Sequence, residues 1–289
     1  MPELPEVETI RSGLETKILN KKIVQIEIES SFEKKISPDK GEFLDLLIGQ
    51  KIKQVLRRSK LLYLEINKNL FLLIHLKMTG QLVYQDKVGQ VIAGGHPIKE
   101  LNKLPNKFTR VVFHFADKSV LYFNDIRKFG FMKLVDYAKL QQEKAKYGIE
   151  PIDHEYTFDF FWTGLKRRSK TTIKTLLLDQ KFIAGLGNIY ADETCFLSGV
   201  KPVRKVGTLT NQEAHLIFKN AKNIIKKAIK YRGTSFNTYM SSDGSRGNFQ
   251  NKLFVYGRKD QLCKKCKKGK IKKTKIGNRS SSFCPICQK

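Results

Sequence analysis

The chain begins Met1-Pro2-Glu3-Leu4-Pro5-Glu6-Val7-Glu8, and this opening holds residues that could do covalent chemistry. Pro2 is small enough that removal of the initiator Met1 is expected, which would leave a proline amine at the end of the chain. An α-amino group titrates near pKa ~8, so a good share is neutral and nucleophilic at physiological pH. Such an amine can attack a sugar carbon and continue as an iminium, as catalytic lysines do with carbonyl substrates. Glu3 supplies a neighbouring carboxylate able to move protons. On these residues alone, Pro-x-x-Pro-Glu reads first as a rigid lead into a helix, and the rest of the chain has to decide between the two.

Metal binding is the second chemistry. Cys263-x-x-Cys266 and Cys284-x-x-Cys287 are separated by seventeen residues, the spacing of a four-thiolate zinc ribbon. Four sulfurs leave a tetrahedral zinc no open position, so the expected ion is structural. A pair of disulfides is the alternative, but two tight pairs with a lone fifth cysteine, Cys195, suit a cytosolic metal site better. Arg279 lies on the hairpin between the pairs, where a guanidinium suits phosphate contact.

Three further motifs admit two readings each. In 179–193, Gly185 and Gly187 permit a tight turn between two helices, and Asn188 is positioned to cap the second. Converging helix ends and turn amides make a phosphate site, although a plain helical corner has the same pattern. In Asn124-Asp-Ile-Arg127-Lys-Phe129-Gly130, a basic residue beside an aromatic on a turn can wedge into a base stack; alone, Phe129 reads more simply as core. His75 and Met78, in Leu73-Ile-His75-Leu-Lys-Met78-Thr-Gly80, read by default as packed interior. Lys60, in Arg57-Arg-Ser-Lys60 between two strands, is either part of a solvated basic edge or a phosphate contact.

The elements that must position these residues follow from periodicity. Residues 4–18 read as a helix: Val7, Ile10, Leu14 and Ile18 recur at helical spacing, Pro5 suits the first turn, and Glu6 and Glu8 suit its positive end. Strand-like runs follow at 23–29, 51–56, 61–66, 70–76, 111–115, 120–123 and 129–135, which suggests a β-sandwich or barrel. The Gly/Pro/Asn/Lys-rich stretch 86–107 reads as a long surface loop. Beyond 147–151 the apolar period turns helical, at 158–166, 172–178, 189–197 and 212–231. Residues 231–252 are again rich in Gly, Ser, Asn and Asp and read as mobile.

Composition bounds the partners. The 289 residues are 40% hydrophobic, enough for real cores, and 55 Lys+Arg against 27 Asp+Glu give a formal charge of +28. An imbalance of that size implies a polyanionic partner, usually nucleic acid. From Arg258 to Lys289 there are twelve basic residues and one acid. No apolar run reaches the ~18 residues of a membrane span, no basic amphipathic helix with an aromatic face stands out, and no leader is evident.

Taken together, Pro2–Thr9, Arg57–Lys60, His75–Gly80, Asn124–Gly130, 177–193, Val255-Tyr-Gly-Arg258 and the cysteine ribbon resemble the bacterial formamidopyrimidine-DNA glycosylases, the 8-oxoguanine DNA glycosylase/AP lyases. The resemblance covers essentially the whole chain. It implies that Pro2 is the nucleophile at C1′ of the damaged nucleotide, Glu3 the proton shuttle, and Lys60 a phosphate contact that assists elimination. It implies phosphate binding by His75, Asn188 and Arg279. Met78, Arg127 and Phe129 would fill the gap left by the extruded base, with Arg127 facing the orphaned cytosine. The 231–252 stretch, with Gly233-Thr234-Ser235 and Asp243-Gly244, would close over the flipped base, since the reacting atoms are inaccessible within a stack. Some features depart from the family pattern. The 86–109 loop is longer than typical, Lys107-Phe108-Thr109 stands where a His-rich segment is common, and the zinc spacer is one residue longer. With Met1 attached, the Pro2 nitrogen is a tertiary amide and cannot attack.

The expected fold is α+β: a catalytic β-sandwich with its leading helix over 1–135, a linker over 136–155, a helix–two-turn–helix domain over 156–252, and a zinc-ribbon finger over 253–289. The expected enzyme excises oxidised purines and nicks the strand by β,δ-elimination. It would act as a monomer with one structural Zn2+, in a bacterial cytoplasm, on double-stranded DNA held in a basic cleft between the domains. The rival within the family is the endonuclease VIII branch, specific for oxidised pyrimidines; its members tend to begin Pro-Glu-Gly-Pro-Glu, and Leu4 replaces that glycine here. The rival of another class is a catalytically silent DNA-binding relative, which should have lost Pro2, Glu3 or Lys60.

Overall fold

Helix α1 spans Leu4–Ile18, the limits that periodicity predicts. A computed structural model of the chain describes residues 1–89, 103–234 and 248–289, and the main chain of 91–95. Val7, Ile10, Leu14 and Ile18 on α1 are all buried in one apolar core with the strands that follow. Each such side chain contributes roughly 1.5–3 kcal/mol on burial, which fixes the helix against the sheets.

The chain continues through β1 (Ile23–Ile28), a 3-10 turn at Ser30–Lys35, β2 (Ile36–Ser37), α2 (Lys40–Leu47), β3 (Gln54–Arg58), β4 (Leu61–Asn67), β5 (Leu70–His75), β6 (Gly80–Gln85), β7 (Val91–Gly95), β8 (Thr109–Phe115), β9 (Val120–Asp125), β10 (Phe131–Val135) and α3 (Tyr137–Ala145). Two five-stranded sheets result, ordered β1-β8-β9-β6-β7 and β2-β10-β5-β4-β3. They face each other as the expected sandwich. All neighbours are antiparallel except β2 and β10. Helix α1 packs on β3, an edge of one sheet, and on β7, an edge of the other, so it covers the open side of the sandwich.

The strands differ from expectation in three places. The run read at 51–56 is displaced to β3 because Ile52 is spent on the α1–β1 connection: its carbonyl accepts from Asn20 N–H at 2.7 Å. Strand β6 was missed because it is buried on both faces and does not alternate. Strand β7 lies inside the stretch read as a loop, where its pairing with β6 overrides a loop-like composition. Helix α2 also escaped notice, although Asp39 caps it, accepting from Gly41 N–H at 2.9 Å and Glu42 N–H at 3.2 Å.

The helical part comprises α4 (Phe158–Lys166), α5 (Ile173–Leu177), α6 (Asn188–Leu197) and α7 (Asn211–Lys230), close to the predicted limits. A hairpin of β11 (Lys272–Ile276) and β12 (Arg279–Phe283) closes the chain. By spatial contact the chain forms two units, Met1–Ala145 with Tyr231–Gln250, and Lys146–Lys230 with Asn251–Lys289. Among the described residues, no helix is long and apolar enough to cross a membrane.

Candidate active site and nucleic-acid interface

In the first unit the site grows from the start of α1. Glu3 is the residue before the helix, in extended conformation, and only 3% exposed. Its N–H donates to Glu6 Oε2 at 3.0 Å. Glu6 Oε1 accepts from Thr234 N–H at 2.8 Å and Thr234 Oγ1 at 3.0 Å. One buried carboxylate thus ties the segment carrying Pro2 and Glu3 to a residue 228 positions away. Gly233 permits this approach: its φ is +75°, and a Cβ there would sit 2.8 Å from Glu6 Oε1. Ser235, Asp243 and Gly244, expected to cap an extruded base, lie outside the described residues.

Lys60 occupies the two-residue turn between β3 and β4, after Ser59 at φ +56°. It is 4% exposed, an unusual burial for a lysine on a hairpin tip. Glu8 holds this turn to α1: its Oε2 accepts from Arg57 Nε at 2.8 Å, and Arg57 Nη1 donates to the Ser59 carbonyl at 3.1 Å. Strand pairing of Leu62 with Ile74 brings the same end of β4 beside His75, the last residue of β5. Burial, with the charges of Lys77 and Lys60, pushes the His75 imidazole down to about 3. The ring is therefore neutral. Its Nδ1 accepts from Lys77 N–H at 3.0 Å, which leaves the proton on Nε2 as a donor.

The strand order then explains how Met78, Arg127 and Phe129 come to one end of the sandwich. Strands β5 and β6 belong to different sheets, as do β9 and β10. Phe131 of β10 pairs with His75 of β5, and Gly80 of β6 pairs with Asp125 of β9. The two turns that cross between sheets, 76–79 and 126–130, therefore run side by side at one end of the sandwich. Met78 on the first is 40% exposed and Phe129 on the second 47%, so neither is core. The Arg127 guanidinium lies 4.5 Å from the centroid of the Phe129 ring. Asp125, fully buried, organises both turns. It accepts from Thr79 Oγ1, from Arg127 N–H at 3.2 Å and from Gly130 N–H at 2.7 Å.

In the second unit, Asn188 does not cap α6 as expected. Gly187 is the cap position and Asn188 the first helical residue. Its Nδ2 donates to the Ser280 carbonyl at 3.0 Å, while its Oδ1 is buried without a partner. Arg279 is exposed beside the tight Gly277-Asn278 turn of the β11–β12 hairpin.

The four paired cysteines converge. Their sulfurs lie within 4.8 Å of one another, with Cys263–Cys287 and Cys266–Cys284 each 3.8 Å apart. Thiolates ~2.3 Å from a tetrahedral zinc are themselves about 3.8 Å apart, whereas a disulfide needs ~2.05 Å. Backbone N–H groups of Lys265, Gly269 and Cys287 point at Cys263, Cys266 and Cys284, each at 3.4 Å. Burial and the neighbouring sulfurs push the Cys287 thiol up, while backbone N–H groups of Gly269 and Lys268 pull Cys266 down. The cluster can bind a metal ion. Cys195 is fully buried, its thiol pushed up to about 12 by that burial, and it takes no part.

Sequence reasoning missed the carboxylates that hold these parts. Asp192 and Glu193, both at most 1% exposed, leave α6 for the ribbon. Glu193 accepts from the N–H groups of Phe254, Val255 and Tyr256, each at 2.8 Å. Asp192 pairs with Lys174 at 2.6 Å and accepts from Ser281 Oγ and from Ser282 N–H at 2.8 Å. Burial pushes both carboxyls up, and these donors oppose it. The available signal was two adjacent acids in an otherwise apolar helix.

Comparison with known proteins agrees over the full length. The sequence profile of the Formamidopyrimidine-DNA glycosylase N-terminal domain matches residues 1–132, and that of the Formamidopyrimidine-DNA glycosylase H2TH domain matches residues 147–240. The formamidopyrimidine-DNA glycosylase of Listeria monocytogenes is 39% identical, with all of both chains covered. That of Pelotomaculum thermopropionicum is 39% identical, covering 100% of this chain and 99% of its own. Among solved structures, Lactococcus lactis Fpg in complex with abasic-site DNA superposes with a TM-score of 0.87 at 34% identity, covering 99% of each chain. The wild-type Lactococcus lactis Fpg with DNA containing N7-benzyl-Fapy-dG gives 0.87 at 33% identity over 100% of both.

Proposed function

The chain belongs to the formamidopyrimidine-DNA glycosylase family, and from that premise we propose that it is a bifunctional glycosylase/AP lyase for oxidised purines, 8-oxoguanine and formamidopyrimidines. The observation that carries this reading is the buried Glu3 at the start of α1, beside Pro2 and under the hold of Glu6. Once Met1 is removed, the Pro2 nitrogen attacks C1′ as the glycosidic bond breaks and the base departs with a proton. Glu3 protonates the sugar ring oxygen, the ring opens, and the bond to Pro2 becomes an iminium. That electron sink acidifies the C2′ proton. Its loss expels the 3′ phosphate, and a second elimination expels the 5′ phosphate.

The remaining candidates serve this reaction. Lys60 contacts the phosphate beside the lesion, with neutral His75 donating from Nε2, and Asn188 and Arg279 gripping further phosphates of the same strand. Met78, Arg127 and Phe129 fill the vacancy of the extruded base. The metal is a single structural Zn2+ on Cys263, Cys266, Cys284 and Cys287, which supplies the fold of the ribbon and no step of the reaction. The functional division follows the catalytic sandwich over 1–135, the linker over 136–155, the helix–two-turn–helix domain over 156–252 and the finger over 253–289. The enzyme works as a monomer in a bacterial cytoplasm.

The test is incubation of Met1-free protein with a duplex carrying 8-oxoguanine opposite cytosine, in the presence of borohydride. Hydride reduction of the iminium should leave a covalent protein–DNA adduct on a denaturing gel. Absence of the adduct overturns the lyase reading. A stronger adduct with an oxidised-pyrimidine duplex would assign the chain to the endonuclease VIII type.

A further inference from the structure

Asn188 and Arg279 come from different elements, the start of α6 and the start of β12, and one buried ion pair joins those elements. Lys174 Nζ lies 2.6 Å from Asp192 Oδ1 and donates to the Asn188 carbonyl at 2.9 Å. Asp192 accepts from Ser281 Oγ and, through Oδ2, from Ser282 N–H at 2.8 Å. Asn188 Nδ2 closes the circuit on the Ser280 carbonyl at 3.0 Å. Both charged side chains are 1% exposed.

The ribbon has other means of staying folded. Its hairpin has its own ladder, its cysteines converge, and Glu193 anchors the segment that leads into it through three N–H groups. A buried ion pair is also a poor source of net stability, because desolvation offsets most of the Coulombic gain; its better-attested use is to specify geometry. Here the geometry it specifies is that between Asn188 and Arg279.

We infer that Lys174 and Asp192 are positioning residues that hold Asn188 and Arg279 in register as one phosphate clamp. This rests on the reading of Asn188 and Arg279 as phosphate contacts. Asp192 holds the Ser281 hydroxyl and the Ser282 N–H, two and three residues after Arg279, and Lys174 fixes the first carbonyl of the helix that carries Asn188. Without the pair, Asn188 keeps its phosphate while Arg279 is no longer held at the distance of the next one and loses its contact.

The test uses the full-length, metal-loaded chain and a duplex with an abasic-site analogue, and reads log affinity against log salt. Lys174→Met combined with Asp192→Leu removes one charge of each sign, so net charge is unchanged and no buried ion is left unpaired. The double variant should retain its metal, melt lower because the Ser281 hydroxyl and the Ser282 N–H lose their acceptor, and when folded bind about tenfold more weakly. Its salt slope should be shallower by about 0.9, the share of one phosphate, and adding Arg279→Ala should flatten it no further. A purely structural pair leaves the slope of the folded protein untouched, so wild-type slope and affinity in the metal-loaded double variant overturn the inference. Should that variant not fold, Ser281→Ala decides, since it deletes one hydroxyl from the clamp. About threefold weaker binding with a shallower slope supports the inference, and wild-type binding overturns it. Asn188→Ala and Arg279→Ala alone separate the two claims. If neither weakens binding, the phosphate reading fails and takes the clamp with it. If both weaken binding and the folded double variant does not, only the positioning fails.

Discussion

Glu3 and His75 show how a single side chain acquires its role from its surroundings. Glu3→Gln keeps the size and the helix start but cannot release a proton. We expect it to lose base excision by at least a thousandfold while binding an abasic-analogue duplex within about threefold of wild type. Single-turnover excision of 8-oxoguanine with a parallel binding titration checks this, and normal excision by the variant would remove Glu3 from the chemistry. His75 carries a pH signature. Its imidazole titrates at about 3 in the folded state against ~6.5 when unfolded. Below pH ~6.5 the unfolded chain takes up a proton that the folded chain refuses. The stability from neutral His75 is thus complete above ~6.5 and drains as pH falls toward 3, by about 1.4 kcal/mol per pH unit. Urea denaturation at pH 7 and pH 5 should therefore show a larger acid loss in wild type than in His75→Gln, by about 2 kcal/mol. Equal losses would mean that His75 is not held neutral. Neither environment was legible beforehand: the Glu-x-x-Glu and His-x-Lys spacings are visible in the chain, but burial by distant strands is not.

At the scale of elements, the turns and the ribbon behave differently on mutation. Phe129 is half exposed on a turn that Asp125 pins from beneath. Phe129→Ala should change stability by no more than about 0.5 kcal/mol, yet slow excision from duplex DNA more than it weakens binding to a pre-flipped abasic analogue. Equal effects on the two substrates would return Phe129 to the core reading. Asp125→Ala, by contrast, orphans several buried donors at ~1–3 kcal/mol each, and should destabilise the sandwich in urea. In the ribbon, Cys284→Ala should lose metal and DNA affinity together, because a small metal site folds only around its ion. Arg279→Ala should keep the metal and weaken DNA binding. Metal analysis beside a DNA titration tests both, and full binding by metal-free protein would refute the coupling. The ribbon was legible from cysteine spacing because its ligands are local. For the wedge, the residues by themselves left two readings open and only the resemblance chose between them, because β5 and β10 become neighbours through pairing at a separation of 56 positions, from His75 to Phe131.

For the whole molecule, a formal charge of +28 sets how it meets its substrate. Each phosphate neutralised contributes about −0.9 to the slope of log affinity against log salt, and 6–10 contacts cost roughly 10³–10⁵ in affinity between 50 and 200 mM salt. We expect affinity for undamaged duplex to fall by at least about 10³ over that range, while the rate of excision from the bound complex stays within a factor of about two. A flat salt profile in fluorescence anisotropy would deny the phosphate-dominated interface. By itself the sequence determined what is local: the limits of α1 and α4, the paired cysteines, the Pro2-Glu3 start and the basic excess, each set by spacing or composition within one stretch of chain. Only the tertiary structure decided the rest. Strands β6 and β7 take their identity from each other's hydrogen bonds rather than from alternation or composition. Glu6 finds Thr234 at a separation of 228 residues, and Asp192 finds Ser281 at 89. A carboxylate read along the chain is a solvated charge. It becomes a clamp only when folding strips its water and puts distant N–H and O–H donors in the water's place.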